Sequence, residues 1–353
     1  MANYRAAVVG LTGIGMTPAR PASDPVLGLV MPHSHVSAYA TVPNTTVVAV
    51  CDLVPALLDK FRADWGPVLP EARTYTDYRE LLAKEQVDLL SIVTSDHRHA
   101  QIAVDAVAAG VKGIFCEKPI ATTLADADRM IEACAAHNVP LAIDHTRRWY
   151  PEFVEARRLV RSGAIGPLRR IVAHLGGPRA MLFRNGTHLI DAVCYFAESD
   201  PAWLVGELDD EHRAHPPRYA GDGGRDPATD PGASALIHFQ NGVRAHVNAS
   251  KGTMGNFEID LVGETGRLRV GTHVAEIWRP LENGQPAVSQ IRAPHTTKGD
   301  MVAAIEEIIG LIEHGGTGSS TGEDGRRVLS ILLGILQSNA AGGTPIQFPI
   351  RDL

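Results

Sequence analysis

Through its first 145 residues the chain alternates short, almost wholly apolar runs with amphipathic stretches, and few folds tolerate that rhythm. Residues 6–9, 47–50, 87–93, 111–116 and 140–143 read as strands, nearly all apolar as strands buried on both faces must be. Between them lie helical stretches such as 124–136, opened by Thr123 and Asp126 in the T-x-x-D spacing of a capping box. Repeated strand–helix alternation predicts a doubly wound parallel sheet over residues 1–148.

After Pro151 the pattern changes. A helix over 153–161 stops at Gly163, and strands follow without helices between them: 235–239 and 243–249 around Asn241-Gly242, a two-residue turn signal, then 257–262, 267–270 and 275–278. Helices over 301–312 and 328–336 close the chain, the second behind Thr321 and Asp324. The expectation is an α/β protein whose second domain, 149–353, is α+β with a mainly antiparallel open sheet. Two stretches fit no element: the Pro/Gly-rich residues 17–32, and 209–232, too long for a simple connection and read as a site rim, a subunit contact or disorder.

Of the 353 residues 44% are hydrophobic and 21% charged, which excludes wholesale disorder, and a net charge of -7 gives no footprint for nucleic acid or an anionic membrane. No apolar run approaches a membrane span, and the start lacks the layout of a signal peptide, so a cytoplasmic location is expected. Four scattered cysteines argue against a disulfide framework or a cysteine metal site.

Gly10-Leu11-Thr12-Gly13-Ile14-Gly15 follows the first strand. As G-x-G-x-x-G, the Rossmann dinucleotide fingerprint, it has Gly10 and Gly15 at the outer positions but Thr12 where glycine normally lets backbone approach a pyrophosphate. Asp52 ends the second strand, where a carboxylate accepts from both ribose hydroxyls. Asp52 is followed by Leu53 instead of an arginine and would repel a 2′-phosphate, so NAD is expected over NADP. The 42 residues from Gly10 to Asp52 exceed the ~20 usual for the motif, the excess lying in 17–32.

Glu117-Lys118-Pro119 closes the strand 111–116, at the sheet end where open α/β folds bind ligands. A lysine there can give a proton or hold a substrate hydroxyl. With the preceding Thr-Ser-Asp-His-Arg-His-Ala (94–100), Arg147-Arg148, Gly-Ala-Ile-Gly (163–166), Gly-Thr-His-Leu-Ile-Asp (186–191), Glu323-Asp324-Gly325 and Pro349-Ile350, the chain resembles the Gfo/Idh/MocA oxidoreductases over almost its whole length. That resemblance implies an NAD-dependent oxidoreductase in which Lys118 is catalytic and His188 is the second catalytic residue. It further implies that Thr94 and His99 lie along the nicotinamide side with Glu117, that Arg147 is near cofactor or substrate, and that the chain forms a homodimer or homotetramer through its sheet face. The strands 235–239 and 243–249 are apolar enough that an uncovered face would be a large exposed patch.

His188 and Asp191, three apart on one helix face, let a carboxylate orient an imidazole suited to taking a hydroxyl proton. The family commonly has an aspartate four residues before this histidine; here the position is Arg184. The change reads either as drift with Asp191 or a water compensating, or as altered chemistry or an altered substrate such as one bearing a carboxylate, which a guanidinium binds well. His33-x-His35 and His97-x-His99 lack an evident third ligand, so no metal is expected.

The expected activity is hydride transfer between NAD and a secondary alcohol or ketone of a sugar, sugar acid or cyclic polyol. Two alternatives stand beside it: an NAD-retaining enzyme that oxidises transiently to drive elimination or glycoside cleavage, and a catalytically inactive dinucleotide-sensing regulator.

Overall fold

The computed structural model describes residues 3–18, 34–221, 228–294 and 299–352. The chain divides into two compact units: Met1–Ala121, Ala125–Trp149 and Thr296–Glu323 in the first, and Thr122–Leu124, Tyr150–His295 and Asp324–Leu353 in the second.

In the first unit β1 (Tyr4–Val9), β2 (Thr45–Cys51), β3 (Arg73–Tyr75), β4 (Leu89–Ile92), β5 (Gly113–Cys116) and β6 (Leu141–Ile143) form one parallel sheet in the order β3-β2-β1-β4-β5-β6. Helices α1 (His35–Thr41), α2 (Pro55–Trp65), α3 (Tyr78–Lys84), α4 (His99–Ala108) and α5 (Leu124–Ala136) provide the crossovers. The apolar strand runs are buried as their composition demands, Ala6, Ala7 and Val8 completely. Strand order reverses between β1 and β4, which opens a crevice at the carboxyl ends there, the ligand-binding position of this topology. Helix α1 starts where Ser34 and Ser37 satisfy each other's amides in a capping box. The 17–32 stretch lies almost wholly outside the described residues, as does His33.

In the second unit α6 (Pro151–Arg161), β7 (Leu168–Gly176), α7 (Gly186–Ala197), β8 (Pro201–Leu208), β9 (Ala233–Phe239), β10 (Arg244–Ser250), β11 (Asn256–Gly263), β12 (Arg267–Gly271), β13 (Ala275–Pro280) and β14 (Pro286–Gln290) precede α9 (Gly322–Ala340) and β15 (Ile346–Gln347). The sheet runs β14-β13-β12-β11-β7-β10-β9-β8-β15, antiparallel except where β7 and β10 pair in parallel. Helix α8 (Asp300–His314) comes between β14 and α9 in sequence, yet Met301, Ile305 and Ile308 join Tyr39, Leu89 and Phe115 in the core of the first unit.

The β9–β10 hairpin exists, but Gln240, Asn241 and Gly242 all take part in its turn, with Phe239 N–H donating to Val243 O at 2.9 Å and Gly242 at φ +88°. Asn241 is drawn out of a two-residue turn because its side chain donates to Ala197 O at 2.8 Å, at the end of α7. Strands β9 and β10 alternate strictly. Ala245, Val247 and Ala249 are buried, whereas Arg244, His246 and Asn248 are exposed on the other face, beside the ion pairs Arg267–Asp260 and Arg269–Glu258. The outer face is mixed: Val172, Leu236 and Val205 stand in register with His246 among these polar residues, so it is less apolar than the strand composition alone implied.

Among the described residues all four cysteines are free and buried, and no helix is long and apolar enough to cross a membrane.

Candidate active site

At the end of β1 the chain turns at Gly10, with φ +100° and a position at which a Cβ would stand 2.3 Å from Val93 O, so only glycine fits. The turn continues through Leu11 and Thr12 into a 3-10 turn, Gly13–Gly15. Thr12, Gly13 and Ile14 are exposed at its tip, and nothing stands within 4 Å of a Cβ built at Gly13. Thr12 has an ordinary φ of -72°, so its side chain imposes no strain. An exposed backbone tip at the carboxyl end of β1 fits a pyrophosphate.

Asp52 follows β2 directly and is half-buried. Its Oδ2 accepts the Leu11 amide at 2.8 Å and its Oδ1 the Val54 amide at 2.9 Å. Both oxygens keep a second lone pair for ribose hydroxyls. Beyond α2 lies a cleft of about 490 Å³ lined by Arg62 and Arg73, whose guanidiniums pair with Asp59 and Glu85.

Thr94 lies just past β4, half-buried. His99 is completely buried, with Nδ1 3.0 Å from Pro119 O and Nε2 3.1 Å from Thr94 O. It has no exposed atom to offer a cofactor; it clamps the turn after β4 to the one after β5. This corrects the expectation that His99 itself lines the nicotinamide.

Glu117, Lys118 and Pro119 follow β5. Lys118 is half-buried, and its backbone amide donates to Glu117 Oε2 at 3.2 Å. Glu117 turns inward, its Oε1 3.5 Å from His35 Nε2. The same imidazole nitrogen stands 3.8 Å from Oδ2 of Asp144, the residue after β6. Burial alone would raise Glu117, but the hydrogen bond with His35 and the charge of Lys118 outweigh it and hold the carboxyl well below the usual range. Asp144 goes the other way, pushed up by burial first and then by the charges of Glu117 and Asp300. His35 and Glu117 were each marked in the sequence, but only the fold adds Asp144 and gives His35 the two acidic neighbours that its H-x-H motif lacked.

Arg147 occupies a 3-10 turn, Thr146–Trp149, half-buried, with its guanidinium donating to Thr146 Oγ1 at 3.2 Å. Its neighbour Arg148 is structural, buried and donating to Ser319 O at 2.7 Å. A cleft of about 950 Å³ in the first unit borders Gly110, Val139, Leu311 and Gly316 at the amino ends of β5 and β6 and reaches Ser319, the partner of Arg148.

In the second unit His188 and Asp191 both lie on α7, a helix buried along its whole length, and Asp191 is completely buried. The approach to α7 is fixed by Asp230, which sequence reading missed: its carboxylate accepts the amides of Phe183 at 3.0 Å and Arg184 at 2.9 Å. The later part of the 209–232 stretch thus delivers a buried acid to the start of the histidine helix. The Arg184 side chain is half-buried, and the Arg179 guanidinium is depressed by burial and then by the nearby charge of Arg184. Two cations therefore cluster just ahead of α7.

Residues 5–145 match the family described as "Oxidoreductase family, NAD-binding Rossmann fold", Gfo/Idh/MocA, and residues 153–269 match the Gfo/Idh/MocA C-terminal domain. The chain is similar to a D-apiose dehydrogenase of Paraburkholderia graminis, 26% identical over 88% of this chain and 85% of that one. It is also similar to an inositol 2-dehydrogenase of Salmonella paratyphi B, 38% identical over 36% of this chain and 37% of that one. Its fold matches an Agrobacterium radiobacter oxidoreductase solved with NAD+, L-tartaric acid and magnesium, with a TM-score of 0.75 at 20% identity over 98% of each chain. With both halves matched and the cofactor turn in place, the chain belongs to the Gfo/Idh/MocA family of NAD(P)-dependent oxidoreductases.

Proposed function

We propose that the protein is an NAD-dependent dehydrogenase that moves a hydride between the nicotinamide and a secondary alcohol or ketone of a sugar, sugar acid or cyclic polyol. The observation that carries this reading is the gathering of a glycine turn, Asp52, Thr94 and Lys118 at the carboxyl ends of β1, β2, β4 and β5 of one parallel sheet. Relatives named for an aldose and an inositol support the substrate class and favour net redox over the redox-neutral alternative.

In this reading the backbone of residues 10–15 holds the pyrophosphate, Asp52 the adenosine ribose, and Thr94, Glu117 and Lys118 the nicotinamide side. Bound NAD supplies the hydride acceptor, or in reverse the donor. As the substrate carbon gives up its hydride, the hydroxyl proton must leave, and Lys118 and His188 are the groups assigned to take it. Arg147 is assigned to substrate or cofactor, and Asp191 to orienting His188. NAD is preferred to NADP because Asp52 repels a 2′-phosphate and the nearby Arg62 and Arg73 are already paired with carboxylates. Arg184, with Arg179 beside it, favours an acidic substrate, and the tartrate complex of the Agrobacterium protein is consistent with that. The reading includes a homodimer or homotetramer built on the open sheet face; a sedimentation mass equal to one chain would remove that part.

The test is a panel of neutral sugars, sugar acids and inositols with NAD or NADP, followed by the near-ultraviolet absorbance of reduced nicotinamide. Reduced cofactor accumulating with NAD supports the reading. Product without reduced cofactor replaces it with the redox-neutral alternative, and NAD binding without turnover replaces it with the regulator.

A further inference from the structure

We propose that Glu117, Asp144 and His35 form a buried unit sharing one proton, in which neutral Asp144 donates to ionised Glu117 and so fixes a negative charge beside Lys118. The inference rests on the reading that Lys118 is the catalytic lysine and makes Asp144 and His35 its positioning residues.

The fold brings the unit together by register. Cys116 pairs with Ile143 across the parallel β5 and β6, so the next residues, Glu117 and Asp144, leave the sheet side by side. His35, the first residue of α1, lies against Phe115 of β5, with ring centroids 4.8 Å apart. Its Nδ1 is 2.9 Å from Ser91 Oγ of β4, and Ser91 is 3.1 Å from the Tyr39 hydroxyl. The imidazole is therefore held at both ends, with Nε2 presented to the two carboxyls.

Two negative charges this close in a dry site repel strongly, and the economical state keeps one proton. The orphan atom shows which residue carries it. Asp144 is 2% exposed, and its Oδ1 has no hydrogen-bond partner among the described residues. An unpartnered oxygen is tolerable on a neutral carboxyl and costly on a carboxylate. Glu117, by contrast, has Lys118 N–H on Oε2 and His35 on Oε1, the environment of an anion. Asp300 at the start of α8 adds negative field at Asp144, and Asp96 and the Cys116 thiol are the other titratable neighbours on this side. A divalent cation among the same three side chains would meet the Lys118 charge and would require the shared proton to leave.

The test titrates the Lys118 amine by NMR of ε-carbon-labelled lysine in the whole, substrate-free protein. The chain has six lysines, and the Lys118 signal is assigned by its loss in Lys118→Arg. In Asp144→Asn the amide still donates to Glu117, so the Lys118 midpoint should match the native one. In Asp144→Leu Glu117 stays ionised at the alkaline pH where the amine titrates, so the midpoint should again stay near the native one, whereas in Glu117→Gln the charge is gone and the midpoint should fall by about one pH unit or more. Glu117→Gln, nearly isosteric, keeps the test alive if Asp144→Leu does not fold. A midpoint in Asp144→Asn that falls as far as in Glu117→Gln would overturn the proposal, because Asp144 would then act as a charge, and so would a midpoint unmoved in Glu117→Gln. Failure of the functional reading looks different: Lys118→Ala would keep its turnover while these titrations came out as stated.

Discussion

The Leu11 amide donates to Asp52 Oδ2 at 2.8 Å, so the acid that ends β2 also anchors the glycine turn that follows β1. In the proposed reading the same carboxylate also holds the adenosine ribose. Asp52→Ala strands the Leu11 and Val54 amides and should cost about 1–3 kcal/mol, seen in thermal or denaturant unfolding. It should also erase the preference for NAD over NADP in paired titrations. An unchanged preference would move ribose recognition away from Asp52.

The two glycines of the turn should respond differently. Gly10→Ala drives a Cβ into Val93 O and should unfold the protein or lower its melting temperature sharply. Gly13→Ala meets open space at φ +49°, a conformation costing roughly 1–2 kcal/mol, and should stay folded while binding NAD more weakly because the methyl group occupies the pyrophosphate side. Calorimetry and cofactor titration on the pair separate fold from binding.

The Glu117–Asp144 pair predicts a pH effect on stability. In the unfolded chain both carboxyls are ionised at neutral pH, whereas the folded pair keeps a proton on Asp144, whose affinity for it is raised. A raised folded value means stability that is full below the ordinary aspartate range and is lost as pH rises through it toward the folded value. Asp144→Asn removes that loss, so it should raise the melting temperature at neutral pH more than at pH ~4. A uniform decrease at both would contradict the assignment.

Arg184→Ala should raise KM for acidic substrates with little change in kcat, since binding lost equally in ground and transition states leaves turnover alone. Its backbone tie to Asp230 survives the substitution. If instead the variant loses thermal stability and keeps its substrate preference, Arg184 serves the protein body.

The parallel sheet was legible because burial on both faces leaves strands such as 6–9 and 47–50 continuously apolar. β3 was not, because Arg73–Tyr75 is too short to show a pattern, and β7 was missed because its arginines at 169 and 170 mask an alternation that begins at Ile171. The glycine turn, Asp52, Lys118 and His188 were readable because each belongs to a local motif. Asp144 and Asp230 were not, nor was the place of His35 beside Glu117, since only strand register and chain return bring them there. His99 was legible as a residue but not in its role, because a motif does not say whether a ring faces ligand or backbone.

The most direct measurement uses whichever panel compound is turned over, deuterated at its carbinol carbon, with unlabelled NAD. Mass spectrometry of the cofactor should show one deuterium transferred to the nicotinamide per ketone formed, with transfer reduced on the order of a hundredfold or more in Lys118→Ala. Ketone formed with no deuterium in the nicotinamide, or undiminished transfer in Lys118→Ala, would contradict hydride transfer assisted by this lysine.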